Sequence, residues 1–196
     1  MTTSQELPEE TFLFTDTETT GFAKKGPHIQ EGQARVVQLA MLLTDANGKT
    51  LAEFSGLIKP DGWKIGEGAQ KVHGITDEQC ERHGFNAKSV MNLFSGFAVR
   101  ASTIVAHHED FDRRMIDIEY AHMNGVDAPT HYNASWFCTM KDRSITQHFG
   151  GRWPKLADAL KHFTGRVLGD DAHDAMHDVR ACRDIFFAAR AAQAAA

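Results

Sequence analysis

The run Val36–Thr44 (VVQLAMLLT) constrains the fold more than any other stretch of this chain. It is nine residues of β-branched and aliphatic side chains with a single amide, Gln38, inside it. A continuous apolar run of that length, closed by a turn, reads as a strand buried on both faces. The turn follows at once: Asp45-Ala-Asn-Gly-Lys49 contains Asn47-Gly48, the strongest short-range hairpin signal. Leu51–Ile58 then returns as a partner strand and is stopped by Pro60-Asp61-Gly62. Upstream, Thr11–Thr15 (TFLFT) is a shorter strand pattern ending at Asp16. The chain is therefore expected to open as a three-stranded meander.

Beyond the meander the apolar period changes from strand-like to helical. Ala87–Val99 carries Val90, Leu93, Phe94 and Phe97 at helical spacing, and Asp110–Met123 carries Phe111, Met115, Ile118 and His122. Thr103–Ala106 and Ser135–Cys138 are short strands, and helices are expected over Lys155–Phe163 and His173–Ala192. Strands first, then alternating helices and strands, imply an α/β sheet with helices on both faces. The 196 residues suit one domain, spanning about residues 11–190. Residues 1–10 are expected to be loosely held, and Ala188–Ala196 to be a fraying helix end with an Ala-rich tail from 191.

Composition narrows the function classes. No apolar run approaches the ~20 residues of a membrane span, and Met1–Glu10 is too polar and acidic for a secretory signal, so a cytoplasmic location is expected. Three widely spaced cysteines, Cys80, Cys138 and Cys182, suit neither a disulfide framework nor a thiolate metal site. A formal charge of −5 argues against coating nucleic acid by charge alone. It leaves room for carboxylates that hold divalent metals. Lys24, Lys25, Arg113, Arg114, Lys141, Arg143, Arg152 and Lys155 form either a basic rim or scattered solvated charge.

Three segments carry the chemistry. In Asp16-Thr17-Glu18-Thr19-Thr20-Gly21, side chains two apart on extended backbone project together. Asp16 and Glu18 therefore stand side by side where a buried strand emerges, the place where α/β sheets bind ligands. Two such acids suit a hard divalent ion; the alternative is a solvated acidic turn. In His107–Asp112, Asp112 has Met115 and Ile116 at i+3 and i+4 and borders the buried face, whereas Asp110 meets Arg113 and Arg114. Asp112 is either a working acid or a boundary charge. In His173–Asp178, Asp178 adjoins the apolar stripe of Ala175, Met176, Val179, Cys182 and Phe186, and His173 lies at the helix start, suited to a general base. Spacing alone does not bring His173 to Asp178. Four acids and one histidine are nevertheless the set that two-metal phosphodiester hydrolysis uses.

On these segments the chain resembles the DEDDh, or DnaQ-like, 3′→5′ exonuclease family, which includes the epsilon proofreading subunit of bacterial DNA polymerase III and exonuclease X. DTETTG at Asp16–Gly21, His107–Asp112 and His173–Asp178 match its three motifs in order. Val72–Thr76 resembles the segment beside the terminal nucleotide, and the resemblance covers about residues 11–190. It implies a ribonuclease H-like fold, a mixed five-stranded sheet flanked by helices. It further implies two divalent cations, Mg²⁺ with Mn²⁺ able to substitute. Asp16, Glu18 and Asp178 would hold the first, and Asp16 with Asp112 the second. His173 would be the general base. Thr19, Thr20, Gly21, Phe22, His73 and Phe111 would line the pocket for the 3′-terminal nucleotide. The family's usual asparagine in the second motif is His108 here, a departure that touches the pocket and not the metal ligands.

The expected substrate is the 3′ end of single-stranded DNA, with RNA or short-oligonucleotide trimming as the alternative. A polymerase partner and the oligomeric state are left open. A zinc hydrolase reading of His173 and His177, spaced i and i+4, lacks a third ligand and leaves Asp16, Glu18 and Asp112 without a role. A non-catalytic binding module on the same fold would be expected to have lost one of the acids, and all four are present.

Overall fold

A computed structural model describes residues 10–127, 133–169 and 174–195. Five strands form one mixed sheet: β1 (Phe12–Thr19), β2 (Val36–Thr44), β3 (Thr50–Leu57), β4 (Thr103–Ala106) and β5 (Ser135–Cys138), in the order β3-β2-β1-β4-β5. The first three strands run antiparallel, and β4 and β5 lie parallel to β1. The opening meander and the five-stranded sheet are as the sequence implies.

β1 is longer than its apolar residues suggest. It continues through Asp16↔Ala40, Thr17↔Leu39 and Glu18↔Gln38 before a register shift at Glu18/Thr19. The two acids therefore sit inside the last turn of pairing and not beyond the strand. Pleating sends alternate residues of β1 to opposite faces. Leu13 joins a core with α3 (Ala87–Ala98) and α4 (Glu109–Asn124), including Val90, Phe94, Met115 and Ile118. Phe12 and Phe14 join a second core with α7 (Ala175–Ala194), including Val179 and Phe186.

That second core is built from aromatic rings. Phe12 and Phe14 lie 4.8 and 5.5 Å from the Phe186 ring, and Phe137 from β5 adds an edge at 5.2 Å. Phe14 is fully buried, so truncating it to alanine is expected to cost about 3–5 kcal/mol.

Several elements differ from the sequence reading. α1 (Glu67–His73), α2 (Asp77–His83) and α5 (Arg143–Thr146, followed by a 3₁₀ turn over Gln147–Phe149) carry too few buried residues to show a helical period. α2 does have a sequence signature, a Thr76–Gln79 capping box in which each side chain bonds the other's backbone N–H. His122 is exposed and does not belong to the buried stripe of α4; its neighbours Ala121 and Met123 face the core instead. α6 (Leu156–Thr164) lies close to its expected place. α7 starts at Ala175, with Asp174 as the N-cap, and persists to Ala194, where Ala189 is still buried. All three cysteines are free. No helix among the described residues is long and apolar enough to cross a membrane.

Candidate active site

The site forms where β1 passes between α4 and α7. Asp16 and Glu18 share the side of β1 that carries Phe12 and Phe14, the side covered by α7. One turn into α7, Asp178 meets them: ligand oxygens of Asp16, Glu18 and Asp178 all lie within 4.8 Å of one another. Among the described residues this is the one cluster able to hold a metal ion.

The start of α7 is fixed by residues outside the motifs. Asp174 caps it, its Oδ1 accepting the N–H of Met176 at 3.0 Å and of His177 at 3.4 Å. Gln38, opposite Glu18 on β2, donates to Asp174 Oδ2 and accepts the Ala175 N–H, both at 3.3 Å. An amide interrupting an apolar strand was the visible signal for Gln38. Its partner was not readable, because it lies far away in sequence.

Asp112 approaches from the opposite face. It is 2% exposed, and its Oδ1 accepts both the N–H and the hydroxyl of Thr17, at 3.0 and 2.8 Å. Thr17, between the two acids, thus anchors the fourth one. The motif position of Thr17 hid this role behind its charged neighbours.

Electrostatics show what the arrangement requires. Burial, then the charges of Asp112, Asp178, Glu18 and Asp174, push Asp16 well above the ordinary carboxylate range. Burial, followed by the same neighbouring acids, raises Glu18 to about 8. Burial raises Asp112 to about 7 against the opposing pull of the Thr17 hydrogen bonds. Acids crowded like this cannot all ionise without a cation among them. A donor set made only of carboxylate oxygens fits a hard divalent ion. His177 is not part of this cluster. His173 itself lies outside the described residues.

Beside the carboxylates opens a cleft of about 380 Å³ whose lining includes Thr19, Thr20, Gly21, Phe22, His73 and Phe111. All six residues that the family resemblance implies for a terminal-nucleotide pocket are therefore brought together. Its walls are mostly apolar, with Ala69 and Val72 of α1 opposite Phe22 and Phe111. His73 accepts the Ile75 N–H on Nδ1 at 3.0 Å, so its Nε2 carries the proton and donates to Thr19 O at 3.2 Å.

The rim is held by Gly66, which the sequence does not single out, and by Arg114 and His107, whose partners it does not show. Gly66 N–H donates to Thr20 O at 3.0 Å, and a Cβ on Gly66 would stand 3.0 Å from that same oxygen, so the glycine sets how closely α1 approaches. Arg114 of α4 donates to Lys24 O and Gly26 O at 3.0 and 2.6 Å, closing the loop that follows Phe22. His107 is partly buried and tied at both ring nitrogens, to Thr139 Oγ1 at 2.9 Å and Pro154 O at 3.1 Å. A carbonyl only accepts, so Nε2 bears the proton and Nδ1 accepts the threonine hydroxyl. Burial holds His107 down at about 4, and it is neutral at physiological pH.

A mixed sheet in this order, helices on both faces and an acidic metal site at the end of the central strand define the ribonuclease H-like fold of nucleases. The exonuclease family model RNase_T matches residues 13–186, and the chain belongs to that family, whose members are of the DEDDh type. A structure of exonuclease I superposes with a TM-score of 0.74 at 22% identity, over 93% of this chain and 41% of that one. The zinc-bound Escherichia coli exonuclease I complex with single-stranded DNA gives 0.73 at 23% identity, over 95% and 41%. The E. coli exonuclease I complex with a dT13 oligonucleotide gives 0.71 at 24%, over 93% and 41%. At these identities the likeness shows the fold, and the chain spans about two fifths of the length of these structures. No curated protein sequence matches the chain significantly.

Proposed function

We propose that this protein is a divalent-metal-dependent exonuclease that shortens single-stranded DNA from its 3′ end, releasing nucleoside 5′-monophosphates. The observation that carries this reading is the Asp16–Glu18–Asp178 cluster opening directly beside the cleft of Thr19–Phe22, His73 and Phe111. The DNA assignment is supported by the resemblance to E. coli exonuclease I structures with dT13 and dA16 oligonucleotides.

In this reading Asp16, Glu18 and Asp178 hold one cation, and Asp16 and Asp112 the other, with Mg²⁺ as the proposed ion and Mn²⁺ as a substitute. When bound, the ions supply positive charge at the scissile phosphate and acidify water at neutral pH. The chain's own residues orient the groups and take up the proton. Thr17 fixes Asp112, and Gln38 and Asp174 fix the turn that presents Asp178. Phe22, Val72 and Phe111 exclude water around the terminal base. His173 takes a proton from the attacking water, whose oxygen bonds to phosphorus. The P–O3′ bond breaks, the departing O3′ takes up a proton from solvent and becomes the new 3′-hydroxyl of the shortened strand, and the nucleoside 5′-monophosphate leaves.

The test is a 5′-labelled DNA and its RNA counterpart incubated with Mg²⁺, Mn²⁺ or EDTA, with Asp16→Ala alongside. A metal-dependent ladder growing from the 3′ end of DNA, absent in the variant, is expected. Faster shortening of RNA would move the substrate assignment to RNA. Full activity of folded Asp16→Ala would overturn the metal site.

A further inference from the structure

We propose that His108, Lys141 and Trp153 extend the cleft into a stacking track for the unpaired bases of single-stranded DNA upstream of the terminal nucleotide. This rests on the exonuclease reading above and specifies how that site holds its strand.

The rings follow one another outward from the cleft. Phe22 is 89% exposed, and its ring stands edge-on to Phe111 with centroids 6.5 Å apart. Phe111 stacks on His108 at 5.9 Å with an interplanar angle of 21°. Two residues further on, Asp110 pairs with Lys141, whose Nζ lies 5.0 Å from the centroid of the Trp153 ring. Trp153 is 63% exposed. Single exposed apolar residues need no explanation. Here, however, the exposed indole is joined through Lys141 and Asp110 to the helix start that carries the rings of the carboxylate cleft.

The outer end of the track is held in place. Gly150 and Gly151 adopt positive φ, 64° and 79°, in the turn before Trp153. The next residue, Pro154, is buried, and its carbonyl accepts the His107 N–H at 3.1 Å. The loop bearing Trp153 is thus tied to the second motif itself. Lys141 is positioned between a carboxylate and an indole, where its remaining donors suit a backbone phosphate. Bases stack on exposed rings only when unpaired, and such stacking with flanking cations is how single strands are held without sequence preference. Where the family has asparagine, His108 adds a ring beside Phe111 on the side of Asp110 and Lys141.

The test compares wild type, Trp153→Ala and Trp153→Phe on two substrates in Mg²⁺: a dT12 oligonucleotide, and an aryl ester of thymidine 5′-monophosphate that has no upstream base. Binding of labelled dT12 in EDTA is measured in parallel, so the track is tested even if hydrolysis is absent. Trp153→Ala is expected to raise the KM and Kd for dT12 about tenfold, the worth of one base–aromatic stack. Turnover of the ester should be unchanged and Trp153→Phe should retain most of the affinity. Unchanged KM and Kd for dT12 in Trp153→Ala would overturn the proposal, as would an equal loss on the ester. Wild type that binds dT12 through Trp153 but hydrolyses neither substrate would overturn the exonuclease reading and leave the track standing.

Discussion

Thr17 gives its backbone N–H and its hydroxyl to one oxygen of Asp112, across the gap between the central strand and α4. Both bonds favour the ionised acid, and they work against a burial that favours the neutral one. Thr17→Val keeps the shape and removes the hydroxyl bond. It is expected to cost about 1.5–3 kcal/mol in a denaturant titration, the range for a hydrogen bond to a charged group. It should also move the acidic limb of the pH–rate profile upward, since Asp112 then ionises at higher pH. An unmoved limb would show that ionisation of Asp112 does not set that limb.

The crowded acids couple stability to pH in an unusual direction. Glu18 is raised to about 8 and Asp112 to about 7, both above the ~4 of an unfolded chain. A carboxyl raised on folding contributes stability that is complete below its unfolded pKa and lost as pH rises through the folded one. Metal-free protein should therefore lose thermal stability between about pH 5 and pH 8.5. A divalent cation binds the ionised form, so the rise in Tm on adding Mn²⁺ should be larger at pH 8 than at pH 6. Equal shifts at both pH values would contradict this coupling.

His107 works in the opposite sense. Its folded pKa of about 4 lies below the ordinary value near 6.5, so its contribution is complete above the higher figure and lost as pH falls toward the lower. His107→Gln should lower Tm at pH 7, and the gap from wild type should narrow as the pH approaches 4. A ring signal in NMR that titrates near 6.5 would show the imidazole to be solvated instead.

The sequence made some of this legible and hid the rest for physical reasons. Strands β2, β4 and β5 declare themselves through apolar runs, and Asp112 through its offsets to Met115 and Ile116. β1 was read short because Asp16 and Glu18 look like the end of a strand, whereas backbone pairing to Ala40 and Gln38 is indifferent to side-chain polarity. α1 and α2 have almost nothing buried, so no period marks them. Gln38, Gly66 and Arg114 act through partners distant in sequence, and no local pattern records such a contact. Lys141 was visible as a cation of a basic rim, but its place over the exposed Trp153 ring appears only in three dimensions.

The pleat of β1 also has a bearing on when the carboxylate site comes into being. Asp16 and Glu18 are made early in synthesis, while Asp178 comes from the last helix, which must lay its aromatic face against Phe12 and Phe14 before the carboxylates converge. Completion of the acidic cluster is thus a late product of folding. A nascent or partly unfolded chain displays two acids on a strand and no third carboxylate beside them, so a misfolded copy lacks the assembled cation site.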